Sequence, residues 1–383
     1  MDFELSEQQK TFIQASLDFA TKAIEPGAAQ RISNQTFDRA LWKLASEFGF
    51  SGLPIPDNYG GSGLSALDTM LMFEALGKGS SDMGFAFSLA AHTFATAVPL
   101  WRFGETHLLD HYLPKIASGD LIAANAVTET TAGSDIYQMK SKAEKVDGGY
   151  KINGQKCFIT NAPAADIFLI YAKTDPNQSF FGVSSFLVEK ETPGLSVSKS
   201  CEKHCLPTST WGNVFMDDVF VPETQRVGFE GAGGAMFHDS MIWEKGCLFA
   251  IYVGAIERML DKAIEQAKTR EQFGQPIGHN QSISNKIIDI KARLECAKLM
   301  LYRSGWLYDQ GKDAECQIAL SKLLISEFAV QSSLDLIQIF GGSAIDPEMG
   351  ILQNLLDALP SRIFSGTNEI QREIIARKLG LRK

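Results

Sequence analysis

The sequence predicts an α+β protein in three successive parts, helical at both ends with β-structure between them. Three observations carry the prediction. Apolar residues at helical spacing run through the first third; from about Leu121 they give way to short β-rich runs cut by Gly, Asp, Asn and Pro; after Gly228-Phe229-Glu230-Gly231-Ala232-Gly233-Gly234 the helical period returns almost to the end. The parts are placed at 1–120, 121–230 and 231–383.

In the first part, helices are expected over 7–24, 36–48, 67–76 and 107–117, where apolar faces are separated by Pro and Gly breaks. In the second, Tyr150-Lys151-Ile152, Ile167-Phe168-Leu169-Ile170-Tyr171, Ser185-Phe186-Leu187-Val188 and Asn213-Val214-Phe215 have the composition of strands. In the third, Ile251, Ala255, Ile256, Met259, Leu260, Ala263, Ile264 and Ala267 form one helical stripe, and runs over 282–310 and 314–340 are long enough for an antiparallel bundle.

A chain of 383 residues, 45% hydrophobic, can bury a large core, and its net charge of −9 without a Lys/Arg stripe argues against a nucleic-acid partner. The start, Met1-Asp2-Phe3-Glu4-Leu5-Ser6, has neither a basic nor an apolar leader segment, so a cytoplasmic protein is expected. The apolar stretch 83–101 is interrupted by Ser88, His92, Thr93, Thr96 and Pro99, which suits a buried core helix better than a membrane span. Six scattered cysteines fit a reducing compartment, most of them as buried thiols. Cys201-Glu202-Lys203-His204-Cys205 lacks the second ligand pair that four-coordinate zinc needs, so no metal is expected. The glycine-rich loop near Gly231 has no βαβ unit around it and reads as a hinge, not a dinucleotide fingerprint.

The chemistry rests on Ala126-Val127-Thr128-Glu129-Thr130-Thr131-Ala132-Gly133-Ser134-Asp135, Gly154-Gln155-Lys156-Cys157-Phe158-Ile159-Thr160-Asn161, Arg270-Glu271-Gln272-Phe273-Gly274, Gln338-Ile339-Phe340-Gly341-Gly342 and Phe364-Ser365-Gly366-Thr367-Asn368-Glu369-Ile370-Gln371-Arg372. In this order and over essentially the whole chain, they resemble the acyl-CoA dehydrogenase family. The resemblance implies that family's fold: an N-terminal helical domain, a middle β-barrel-like domain and a C-terminal four-helix bundle. It also implies FAD, with Val127, Thr128, Ser134, Phe158, Thr160, Thr367 and Glu369 among its contacts. Hydroxyls and N–H groups suit the polar edge of an isoalloxazine, and an aromatic ring suits its apolar body. Arg270, Phe273, Gln281, Gln338 and Gly342 would embrace the FAD of a neighbouring subunit, which implies a dimer at least and a homotetramer (dimer of dimers) by resemblance. A guanidinium fork matches a pyrophosphate, and glycines allow close backbone approach.

Many family members carry a catalytic carboxylate where this chain has Ser365, and a serine hydroxyl is too weak a base for a carbon acid at neutral pH. The isovaleryl type has its base on an earlier helix, and matching that segment to His238-Asp239-Ser240-Met241-Ile242-Trp243-Glu244-Lys245 puts Glu244 in the role. Ser365 and Gly366 then line the substrate pocket, with the Ser365 N–H as a donor to the thioester oxygen. The stretches 237–247, 181–187, 360–370 and 374–381 look closest to a subgroup, the L-prolyl-carrier-protein dehydrogenases of prodigiosin-type pyrrole or anatoxin-type biosynthesis. That resemblance implies oxidation of L-proline, thioester-linked to a carrier protein, to a pyrroline or pyrrole thioester, with an electron-transfer flavoprotein or oxygen as acceptor. The alternatives are a dehydrogenase of short branched acyl-CoA thioesters and a non-catalytic thioester-binding homologue.

Overall fold

The computed structural model describes residues 4–382; Met1-Asp2-Phe3, on which part of the leader reading rests, and Lys383 lie outside them. Ser6 starts α1 (Glu7–Phe19) with a capping box shared with Gln9, and the helix runs on through a π turn, Ala20–Ile24. After α2 (Ala28–Asn34), Asp38 accepts hydrogen bonds from the N–H groups of Ala40 and Leu41, so α3 (Arg39–Phe48) begins three residues later than the apolar pattern alone suggests. There follow α4 (Ala66–Gly79), α5 (Met83–His92), α6 (Val98–Phe103) and α7 (Thr106–Ala117). A π turn, Thr93–Ala97, joins α5 to α6. Met83–Phe103 and Glu315–Ile345 both have the length and apolarity of a membrane span, but the window in the first is 94% buried inside the protein.

The middle part is a sheet of β1 (Ala123–Ala126), β2 (Lys142–Val146), β3 (Gly149–Thr160), β4 (Ile167–Lys173), β5 (Val183–Glu189), β6 (Leu195–Val197), β7 (Trp211–Pro222) and β8 (Arg226–Val227). Its order is β6-β7-β3-β2-β4-β5-β8, with β1 parallel to β4. Strand alternation divides the interior: Leu169 and Tyr171 of β4 face a large core shared with the helices, while Phe168 and Ile170 belong to a smaller core on the other face. The glycine-rich loop is not a free hinge. A Cβ at Gly231 would lie 2.5 Å from the Phe181 carbonyl oxygen and one at Gly233 2.8 Å from that of Val183, so close packing explains these glycines.

The last part holds α8 (Gly233–Trp243), a π turn Glu244–Leu248, α9 (Ala250–Thr269), the hairpin β9 (Glu271–Gln272) and β10 (Gln275–Pro276), α10 (Gln281–Asp309), α11 (Glu315–Phe340), α12 (Ile351–Ala358) and α13 (Asn368–Lys378). α4 and α9 cross in backbone contact: a Cβ on Gly77 would sit 2.1 Å from the Ile251 carbonyl oxygen, and one on Gly254 2.0 Å from that of Glu74. Arg258 donates to the carbonyls of Gly77 and Ser80 at the same crossing. The N-terminal helices are thereby fixed against α9, the helix that follows the turn carrying Glu244. Of the six thiols only Cys157 and Cys247 are buried, fewer than expected, because Cys201 and Cys296 lie on outward positions. No cluster of His, Cys, Asp and Glu able to hold a metal occurs among the described residues.

Candidate active site

Glu244 is the first residue of the π turn after α8, a widened helical turn of the kind that often marks functional positions. One of its oxygens, Oε1, accepts the Ser365 hydroxyl at 2.5 Å. Two residues 121 apart in sequence are thus in direct contact, on the loop before α13 and on the α8–α9 connection. Burial pushes the Glu244 carboxyl above its ordinary pKa, while the Ser365 hydrogen bond and the Lys245 charge pull it back.

The Ser365 loop is held from several sides. Gln371 is fully buried, and its Nε2 donates to the carbonyls of Ser365 (3.3 Å), Gly366 (2.8 Å) and Thr367 (3.3 Å). Thr367 caps α13 by accepting the Ile370 N–H. Asn368 accepts from Lys322 Nζ at 2.8 Å and Ser326 Oγ at 3.0 Å, and donates to Glu327. Burial, with Lys245 nearby, lowers the fully buried Lys322 to about 7. The Phe364 ring packs 4.7 Å from Phe87 and 5.5 Å from Phe249.

A second structure is built around Lys156, which is fully inaccessible and was not singled out in the sequence. Its ammonium pairs with Glu129 at 2.8 Å and donates to the Val127 carbonyl; the Glu129 carboxylate also accepts the N–H groups of Lys140 and Ser141. This pins 127–129 and 139–141 to β3, where the β3/β7 register shifts between Lys156 and Ile159. Inside the shift Phe158 takes φ +57 and turns outward, 60% exposed, its ring stacked 5.2 Å from Trp211. Cys157 N–H donates to the Thr128 carbonyl, which sets Thr128 beside the bulge. Val127 contributes its backbone, its side chain being in the core. Ser134 lies exposed in the following loop, and Thr160 ends β3. Asn161 Nδ2 donates to the Ser88 carbonyl, next to Phe87, so α5 links this strand end to the Phe364–Ser365 loop.

These residues fit a flavin. An outward aromatic face stands beside Thr128 and Thr160, and the buried Asn161 Oδ1 and Thr210 Oγ1 have no partner among the described residues. Glu369 lies exposed in the first turn of α13.

Arg270, Phe273 and Gly342 meet around a separate groove of about 460 Å³ at the bundle surface, also lined by Gln272, Ile283 and Phe340. Phe273 is 97% exposed at φ +54 on the β9–β10 turn, and Arg270 makes no ion pair among the described residues. A Cβ on Gly341 or Gly342 would meet nothing within 4 Å; Gly341 is held to glycine by its φ of +60, while at Gly342 no atom of the described residues requires it. Gln281 opens α10 and Gln338 lies near the end of α11, both exposed. A guanidinium, an exposed ring and bare backbone facing outward suit a ligand approaching from outside the chain.

Comparison with known proteins agrees along the whole chain. Family models described as acyl-CoA dehydrogenase N-terminal, middle and C-terminal domains match residues 6–120, 124–219 and 231–380. An L-prolyl-[peptidyl-carrier protein] dehydrogenase of Serratia sp. (strain ATCC 39006) is 56% identical over 382 residues, covering 100% of this chain and 99% of the relative. A solved structure of PigA with FAD and proline matches at TM-score 0.99 and 56% identity over 100% of both chains. The prolyl acyl carrier protein oxidase AnaB matches at TM-score 0.96 and 38% identity, over 98% of this chain and 100% of its own.

Proposed function

This chain belongs to the acyl-CoA dehydrogenase family, and on that premise we propose that Glu244 is the base of an FAD-dependent dehydrogenase acting on an L-prolyl thioester of a carrier protein. The observation that carries the assignment is the contact between Glu244 and Ser365: a carboxylate from the α8–α9 connection reaches the side chain at the position where many relatives hold their base. The product is a pyrroline thioester, or a pyrrole thioester after a second oxidation.

Glu244 takes the proton from the prolyl α-carbon, and its withdrawal from water makes it a stronger base than a solvated glutamate. When bound, FAD supplies the acceptor for the hydride that leaves the neighbouring ring carbon. The Ser365 N–H donates to the thioester oxygen as negative charge gathers there, and Gly366 lines the pocket beside it, its φ of +76 and the Gln371 amide 2.9 Å from a would-be Cβ keeping it glycine. Val127, Thr128, Ser134, Phe158, Thr160, Thr367 and Glu369 hold the cofactor of their own chain. Arg270, Phe273, Gln281, Gln338 and Gly342 hold that of a neighbouring copy, and the open space over Gly341 and Gly342 supports this. The reading includes a cytoplasmic homotetramer of protomers divided near residues 120 and 230, reoxidised by an electron-transfer flavoprotein or by oxygen.

The test is mass spectrometry of a prolyl-loaded carrier after exposure to the enzyme, with flavin bleaching followed in parallel. A loss of about 2 or 4 Da is expected, by removal of one or two pairs of hydrogens, and Glu244→Gln is expected to slow bleaching by roughly 10²- to 10⁴-fold. Bleaching by isovaleryl-CoA but not by the prolyl carrier would replace the substrate assignment.

A further inference from the structure

Ser365 is a non-glycine residue at φ +54, a left-handed conformation that glycine adopts at no steric cost and serine does not. Such a conformation persists where the surroundings impose it. Here they do: Gln371 donates one amide nitrogen to three successive carbonyls, Asn368 is tied to Lys322, Ser326 and Glu327, and Phe364 is wedged against Phe87 and Phe249. What serine adds over glycine at this point is a hydroxyl, and that hydroxyl makes one hydrogen bond, to Glu244. At 2.5 Å it has the length of an O–H donor to a charged carboxylate.

We propose that Ser365, held in its left-handed conformation by Gln371, is a positioning residue for Glu244: its hydroxyl fixes the carboxylate and keeps it ionised at the pH where it must accept a proton. This rests on the assignment of Glu244 as the base.

The other charged and titratable groups around Glu244 do not substitute for this contact. Lys245, on the same turn, attracts Glu244 but makes no hydrogen bond among the described residues, and it is also drawn to Glu315 of α11. Lys322 of α11 is spent on Asn368. Asp239 of α8 is paired with Arg102. Tyr171 of β4, a fully buried phenol near Glu244, has no hydrogen-bond partner among the described residues. Among the described residues, Ser365 is the one group that both touches the carboxylate and donates to it.

The test uses the FAD-loaded enzyme and its prolyl carrier, with Ser365→Ala, Ser365→Gly and Gln371→Leu. The pH dependence of single-turnover bleaching is measured beside an infrared titration of the buried carboxyl, in which Glu244→Gln supplies the blank. In Ser365→Ala and Ser365→Gly, both the kinetic limb and the infrared pKa are expected to move up by about one pH unit, leaving bleaching roughly tenfold slower on the acid side. Gln371→Leu is expected to move both in the same direction by less. Ser365→Gly is the decisive variant because it relieves the backbone: its melting temperature is expected to equal or exceed the wild type while the pKa still rises. An unchanged infrared pKa in Ser365→Ala and Ser365→Gly overturns the proposal, whatever happens to stability. Glu244→Gln bleaching at the wild-type rate would instead remove the base assignment, a result separable from the infrared shift.

Discussion

The buried pair of Lys156 and Glu129 makes an asymmetric prediction. Lys156 is 0% and Glu129 6% exposed, so removal of either partner leaves a charge without water. The two are not left equally poor. Without Lys156, Glu129 keeps the N–H groups of Lys140 and Ser141. Without Glu129, Lys156 keeps only the Val127 carbonyl and a long contact to the Met139 sulfur, and those two N–H groups lose their acceptor as well. Breaking a buried pair costs about 3–5 kcal/mol, and an orphaned buried N–H about 1–3 kcal/mol. Glu129→Leu is therefore expected to cost about 5 kcal/mol or more, and Lys156→Met about 3 kcal/mol because backbone donors still solvate the carboxylate. The double variant is expected to be more stable than Glu129→Leu alone, since it removes the stranded ammonium. Urea unfolding of the four proteins measures the cycle, and flavin release from Lys156→Met reports whether the Phe158 bulge has relaxed. Single costs that add in the double variant to within about 0.5 kcal/mol would show no coupling, and the account of the bulge would fail.

Three further outcomes are expected. The acid limb of bleaching in the wild type lies above the ordinary glutamate range, because burial raises Glu244 and the base works only when deprotonated; a limb at or below that range counts against the site. Gly254→Ala puts a methyl group 2.0 Å from the Glu74 carbonyl oxygen, and since backbone cannot swing aside the protein is expected to lose about 3 kcal/mol or more in urea unfolding. Asp357 is fully enclosed and burial raises its carboxyl to about 7, so the native chain retains a proton that the unfolded chain sheds above 3.8. Wild-type stability attributable to this group therefore falls as pH rises from about 4 to 7, by about 1.4 kcal/mol per pH unit at most. Asp357→Asn is expected to gain on the wild type across that window and to hold its lead above it, as read from paired melting curves.

Much of the architecture is legible from periodicity, because strands such as Ile167-Phe168-Leu169-Ile170-Tyr171 and the stripe from Ile251 to Ala267 bury surfaces that need a period of two or of 3.6. The site is legible to a different depth. The vacancy at Ser365 directs attention to a carboxylate elsewhere, and a Trp-Glu-Lys segment supplies a candidate, but nothing local says that Glu244 meets Ser365. That contact is a product of tertiary packing. Lys156 carries a signal of its own: it sits on an inward position of β3, between the outward Gln155 and the buried Cys157, and a lysine there requires an anion. Gln371 carries no comparable signal, since an amide in an amphipathic helix reads as surface until its three carbonyl partners are seen. The glycine loop misled because composition cannot distinguish a flexible glycine from one pressed against a neighbouring carbonyl.

The turn Glu244–Leu248 holds one residue more than an α-helical turn would, wedged between α8 and α9. Removing a single residue there would restore ordinary winding while leaving the faces of α8 and α9 in register, so Gly254 would keep its crossing with Gly77. The change would fall on the turn itself, and the carboxylate that the widened turn sets against Ser365 would move off that contact. Chain length in this stretch is thus as constrained as side-chain identity.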